Sequence, residues 1–275
     1  MGTVNDKGVL LIALGHENYM KMAVNLAASL KYNCPDIQIA LVHDGAGQIP
    51  DNLFQCNIMV PPGNPIQYKT KLYELSPFQQ TLYLDVDMIW LPGRNPEELF
   101  TTLAGIDFTI MNTGSGEYCI WAEADDIRQV AGNVDDPIYM FYSELIYFEK
   151  TGKAEAYFSM VQEIYTTATL TNRKFAGGMA DELAYIIAAL QTGTKPHQDK
   201  WCPVYWFYRN KKDAHLQPYQ LQNNYYAYSI GGNQLPGYAK SHYNNLARLY
   251  AKHAGIAKPY LAQDKRYFLS NRTKI

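Results

Sequence analysis

The chain lacks most of the features that would tie it to a membrane, a disulfide framework or a polyanion. Its four cysteines among 275 residues, Cys34, Cys56, Cys119 and Cys202, lie far apart and form no C-x-x-C pair. That spacing fits neither a zinc site nor a disulfide scaffold, and reduced interior thiols are expected. No stretch approaches the roughly 18 consecutive apolar residues of a membrane span. The first residues, MGTVNDKGVLLIALG, have neither the basic start nor the small-residue cleavage site of a secretory signal. A cytoplasmic location is therefore expected. A formal net charge of −2 gives no general attraction to nucleic acid or anionic lipid, though a local basic patch is compatible with it. No G-x-G-x-x-G follows the first apolar run, which disfavours a dinucleotide enzyme. There is no repeat, low-complexity segment or linker.

What is present is an α/β pattern. Hydrophobic residues make up 47% of the chain, enough for an ample core. The run GVLLIALG (8–15) reads as a strand buried on both faces. Behind it, Tyr19, Ala23, Leu26, Ala27 and Leu30 recur at helical spacing. IQIALVHDG (37–45) and NIMVPP (57–62) are further strands, YKTKLYEL (68–75) is helical, and Ser76-Pro77 stops it before the strand QTLYL. SELIYFEKTG (143–152) predicts a strand and turn, KAEAYFSMVQEIY a helix, and FAGGMADELAYIIAAL (175–190) a loop entering another helix. Strand, helix, strand is the opening of a mostly parallel sheet. Beyond about 191 the texture changes. Of the 23 tyrosines, 11 fall in the last 75 residues, and Tyr243, Leu246, Ala247 and Tyr250 form the only clear helical stripe there. One domain over 1–275 is expected, with a core at 8–190 and a mixed C-terminal lobe at 191–275 over the sheet edge.

The stretch QTLYLDVDMIWLPGRNPEELF (80–100) carries the chemistry. Asp85 and Asp87 stand at the carboxyl end of an apolar strand, the edge where open α/β sheets bind ligands. Residues i and i+2 of a strand point to one side, so the two carboxylates are expected to converge. Two acids held close repel unless a proton or a cation lies between them. An oxygen-only pair suits Mn2+ or Mg2+ rather than zinc, and such an ion typically grips a diphosphate. The bland alternative is a pair of solvated loop acids.

With its surroundings, YKTKLYELSPFQQTLYLDVDMIWLPGRNPEELF resembles the core of nucleotide-sugar glycosyltransferases of the GT-A fold, above all the family 8 type that includes glycogenin and galactinol synthase. The resemblance covers roughly 8–190 and implies a GT-A α/β fold and a metal-dependent transferase. The enzyme would move a hexose or pentose from a nucleotide diphosphate sugar, a UDP-sugar in the first instance, with retention of configuration. It assigns Leu14, Gly15 and Tyr19 to the nucleoside, Lys71 to the sugar diphosphate, Asp85 to the metal and ribose, and Asp87 to the metal. Asp181 and Glu182, in ADEL, become the candidates for the reaction centre, although Asp181 is equally a potential helix N-cap. His242 is the candidate third metal ligand, without the K-P-W setting usual for it. Tyr142 and Glu144, in FYSELIYF, replace the asparagine and glycine of the family's N-S-G strand, a departure on the acceptor side. Asp44 reads best as a turn residue before Gly45, while His16 and His43 lie near enough to the strand ends to touch phosphate.

For the acceptor, the tyrosine-rich tail with Trp201 and Trp206 favours a saccharide or lipid-linked saccharide. A modified DNA base is the minor option, through Arg209, Lys211 and Lys212. The rival functions are a haloacid-dehalogenase-like phosphohydrolase, with Asp85 as nucleophile, and a non-catalytic sugar-binding module. The oligomeric state leaves no mark on the sequence.

Overall fold

The computed structural model describes residues 6–170, 179–206, 218–231 and 237–262. Chain order runs β1 (Lys7–Ala13), α1 (Glu17–Asn33), β2 (Ile39–His43), β3 (Cys56–Met59), α2 (Pro65–Lys69), α3 (Leu72–Leu75), β4 (Gln80–Leu84), β5 (Met88–Trp90) and α4 (Glu97–Leu103). It continues with β6 (Phe108–Gly116), α5 (Ala124–Val130), β7 (Ile138–Glu149), α6 (Gly152–Thr167), α7 (Asp181–Thr192), β8 (Val204–Trp206), α8 (Pro218–Leu221), β9 (Ala227–Ser229) and α9 (Gly237–His253).

Six strands form the central sheet in the order β3-β2-β1-β4-β7-β6. The first four are mutually parallel, and β7 runs antiparallel between β4 and β6. The apolar run of β1 is central, with Val9, Leu10 and Leu11 fully buried, each worth roughly 1.5–3 kcal/mol of burial. Helix α1 follows at once because Gly15 takes a positive φ of 82° and the His16 ring caps the helix, accepting from the Asn18 N–H. Its stripe of Ala23, Leu26, Ala27 and Leu30 is buried, as the spacing predicts. The arrangement is the expected mostly parallel sheet flanked by helices.

A second sheet, β5-β9-β8, ties the C-terminal segment to the D-x-D turn. Ser29 Oγ of α1 accepts from the Trp90 N–H, and the Tyr250 hydroxyl of α9 donates to the Trp90 carbonyl. The stripe Tyr243, Leu246, Ala247 and Tyr250 is buried. Thus β9 and α9 are drawn in beside the carboxyl ends of β1 and β4. The expected helix at 68–75 is instead two short ones, broken at Thr70 and Lys71. Of the cysteines, all free, Cys119 is buried and the other three are half-buried.

Candidate active site

The D-x-D lies just past the end of β4, in a turn rather than in the strand. Each aspartate has its own partners there. Asp85 leans toward α2, where Lys69 Nζ stands 2.7 Å from Oδ1 and 2.8 Å from Oδ2. The Tyr83 hydroxyl also donates to Oδ1, at 2.5 Å. Lys69 ends α2, a helix opened by the Asn64 side-chain cap and Pro65, and the Tyr185 hydroxyl bonds the Lys69 carbonyl at 2.7 Å. Burial opposes charge on this ammonium, but Asp85, then Asp181 and Glu182, outweigh it and hold Lys69 protonated above the ordinary lysine range. Burial and the neighbouring Asp85 likewise keep the Tyr83 phenol neutral.

The first turn of α7 faces the same ammonium. Ala180 is the N-cap, so Asp181 and Glu182 sit inside the helix, at 4% and 8% exposure, where the helix N-terminus favours negative charge. Asp181 Oδ2 lies 3.9 Å from Lys69 Nζ and has no hydrogen-bond partner among the described residues. Glu182 Oε1 accepts from Ser143 Oγ at 3.2 Å, and Ser143 Oγ in turn receives Lys69 Nζ at 3.2 Å. Burial first, and then the adjacent Asp181, push the Glu182 carboxyl up to about 8 against the pull of Lys69.

Glu144 follows Ser143 in the stretch of β7 where the pairing with β6 shifts, and it too meets the D-x-D turn. Its carbonyl accepts from the Asp85 N–H at 2.9 Å, and its Oε2 accepts from the Trp206 indole N–H. A methyl placed on Gly231 would stand 3.1 Å from Ser229 Oγ, 3.3 Å from Glu144 Oε1 and 3.9 Å from Asp87 Oδ2. These three oxygens therefore border one recess. The Ile230 N–H donates to the Asp87 carbonyl at 2.9 Å, fixing β9 to the turn. Burial, then Asp87 and Asp85, hold the Glu144 carboxyl well above the usual carboxylate range, partly offset by Trp206.

Of the residues expected at the nucleoside, Leu14 is buried and the Gly15 N–H donates to Asp44 Oδ2 at 2.7 Å. Asp44 also accepts from the Ala46 N–H, the turn role its sequence predicts, and the His43 ring accepts from the Gly45 N–H. Tyr19 is half-buried on α1. Across from α1, Tyr260 is pinned through its carbonyl by Asn25 Nδ2 at 2.8 Å. Burial first, and then Asp87 and Tyr19, raise its phenol above the ordinary range.

Lys71, expected at the diphosphate, is the N-cap residue of α3, and the ammonium that meets Asp85 belongs to Lys69. His242 stands half-buried in the second turn of α9, its imidazole pKa lowered by burial. It is not grouped with Asp85 and Asp87: among the described residues no three His, Cys, Asp or Glu side chains form a cluster able to hold a metal ion. Sequence reasoning also missed Ser143 and Gly231 and read Glu144 only as a departure. Trp206 is 1% exposed and packs on Tyr142 at 4.5 Å between ring centroids, so it holds Glu144 rather than offering a stacking face. Trp201 is half-buried and pairs with Asn112 through both backbones. Arg209, Lys211 and Lys212 lie outside the described residues.

No family model and no curated protein sequence matches the chain. Solved structures do match it. The bifunctional glycosyltransferase WbbM, in its apo structure, aligns at a TM-score of 0.55 and 11% identity over 85% of this chain and 47% of its own. The present chain thus spans about half of that protein. The galactosyltransferase LgtC, in complex with donor and acceptor sugar analogs, aligns at 0.54 and 15% over 88% of this chain and 95% of its own. An active-site mutant of LgtC gives 0.53 and 16% over 90% and 95%. At these identities the likeness is one of fold, and the fold of this chain is that of the GT-A glycosyltransferases.

Proposed function

We propose that the protein transfers a sugar from a nucleotide diphosphate sugar, UDP-linked in the first instance, to an acceptor hydroxyl with the help of a divalent cation. The observation that carries this reading is the cluster of Lys69, Asp85, Asp181 and Glu182 at the carboxyl edge of β4 in a GT-A sheet. A pocket for a sugar diphosphate needs cation donors toward the phosphates and carboxylates toward the sugar hydroxyls, and this edge supplies both.

The residues fit a hard cation. The donors around the D-x-D turn are oxygens throughout, and a recess bordered by Asp87, Glu144 and Ser229 opens over Gly231, where a side chain would fill it. Asp87 is the more direct ligand, with Asp85 beside it. Bound there, Mn2+ or Mg2+ neutralises charge on the departing nucleoside diphosphate. Lys69 orients Asp85, whose outer edge remains near the ribose, and adds positive charge on the phosphate side. Asp181 Oδ2, buried without a hydrogen-bond donor, accepts from a hydroxyl of the donor sugar. Glu182, near-neutral until about pH 8, donates or accepts through Ser143 without serving as a fully ionised base at neutrality, which favours retention of configuration. Leu14, Gly15 and Tyr19 border the nucleoside end.

A saccharide or lipid-linked saccharide is the proposed acceptor. Among the described residues no helix is long and apolar enough to cross a membrane. Calorimetric titration with a panel of UDP-sugars in the presence of Mn2+ tests the proposal: binding of one donor is expected, and absence of binding by any nucleotide with metal present overturns it.

A further inference from the structure

In this fold the D-x-D is read as a carboxylate pair facing one cation, but here Asp85 is already occupied. Both its oxygens meet Lys69 and one also receives the Tyr83 hydroxyl. Drawing Asp85 onto a metal ion would strip Lys69 of its principal partner. The opposite holds across the turn. Glu144, from the middle of β7, has Oε2 fixed by the Trp206 indole, which leaves Oε1 beside the recess. Asp87 Oδ2 and Ser229 Oγ border the same space, and Gly231 forms its floor because even one methyl would crowd Ser229 Oγ and Glu144 Oε1.

We propose that Glu144 is a ligand of the divalent cation, paired with Asp87 across the recess over Gly231, with Ser229 at its rim and Asp85 left to Lys69 and the nucleotide. The proposal rests on the cation-dependent reading above and changes its ligand set. One carboxylate comes from the D-x-D turn and the other from β7, and the remaining positions are left to diphosphate oxygens and water, as Mg2+ and Mn2+ sites commonly arrange. Trp206 is then a positioning residue, since it acts through Glu144.

The test follows free Mn2+ by electron paramagnetic resonance as the full chain is titrated with saturating UDP, with thermal unfolding in EDTA alongside. Glu144→Gln keeps an acceptor for the Trp206 indole and removes the charge, and Gly231→Ala narrows the recess without altering charge. Each is expected to weaken Mn2+ binding by about tenfold or more while leaving the midpoint in EDTA nearly unchanged. Asp85→Asn is expected to weaken Mn2+ less than either. Wild-type Mn2+ affinity in Glu144→Gln overturns the assignment although cation dependence stands. If Glu144→Gln does not fold, normal affinity in Gly231→Ala overturns it instead. Wild-type protein that takes up neither UDP nor Mn2+ overturns the reading of the whole site.

Discussion

Lys69 Nζ lies 2.7 Å from one carboxylate oxygen of Asp85 and 2.8 Å from the other, so a single ammonium spans the acid that opens the D-x-D. The pair is largely buried, with side chains 14% and 20% exposed, and Asp181 Oδ2 lies 3.9 Å from the same ammonium. Removing the cation leaves uncompensated acids. Lys69→Met is therefore expected to destabilise the protein by roughly 3 kcal/mol and to weaken nucleotide binding by at least about tenfold. Lys71→Ala, on the N-cap of α3, is expected to leave both nearly unchanged. Chemical denaturation and UDP titration of the two variants check the assignment, and equal losses in both would refute it.

Asp87 is expected to carry the metal dependence. Asp87→Ala removes a ligand and also relieves repulsion with Glu144, so manganese-dependent nucleotide binding should disappear while the thermal midpoint in EDTA moves by no more than about 4 °C. Full sugar transfer by the wild-type protein in EDTA would rule this out.

The Glu182 carboxyl gives a pH signature. Its folded value is raised to about 8 from an ordinary 4.5, so between these limits the folded state holds a proton that the unfolded state has lost. Stability should therefore fall as pH rises through that window, by about 1.4 kcal/mol per pH unit from this group alone. Below the unfolded value the penalty is absent, and above the folded value it is complete. Glu182→Gln is expected to flatten that slope, gaining on the wild type from pH 5 to pH 8. Parallel slopes for the two proteins in urea unfolding would count against a raised Glu182. Asp181→Asn, which removes the second cause of the shift, is expected to narrow the window.

How much of this was legible follows from which contacts are local. The apolar run of β1, the stripe of α1 and the strand QTLYL declare themselves because each element's own period exposes its buried face, and the stripe of Tyr243 to Tyr250 does the same for α9. The lysine assignment was not legible. A continuous helical reading of 68–75 gives no reason to prefer Lys69 over Lys71, and the helix in fact breaks at Thr70 and Lys71. The expectation for Asp85 and Asp87 treated them as part of a strand, and that strand ends at Leu84. Glu144 reaches the turn through the antiparallel pairing of Leu84 with Leu145, a contact 61 positions long in sequence, and no local pattern reports it. Strand β6 shows little signal because its pairing with β7 is twice shifted and its end is glycine-rich, while β8 and β9, three residues each, are too short to show a period.

An inverting displacement needs an ionised base on the face of the sugar opposite the leaving diphosphate. Near neutral pH Glu182 is held protonated by burial and by Asp181, and Asp181 itself faces the Lys69 ammonium at 3.9 Å. Neither is placed as a free base, and the product is expected to keep the anomeric configuration of the donor. Proton NMR of the first-formed product decides it. If the product is inverted, and if its rate rises with pH through about 8 in the wild type but not in Glu182→Gln, then Glu182 is a general base and the retaining assignment is lost.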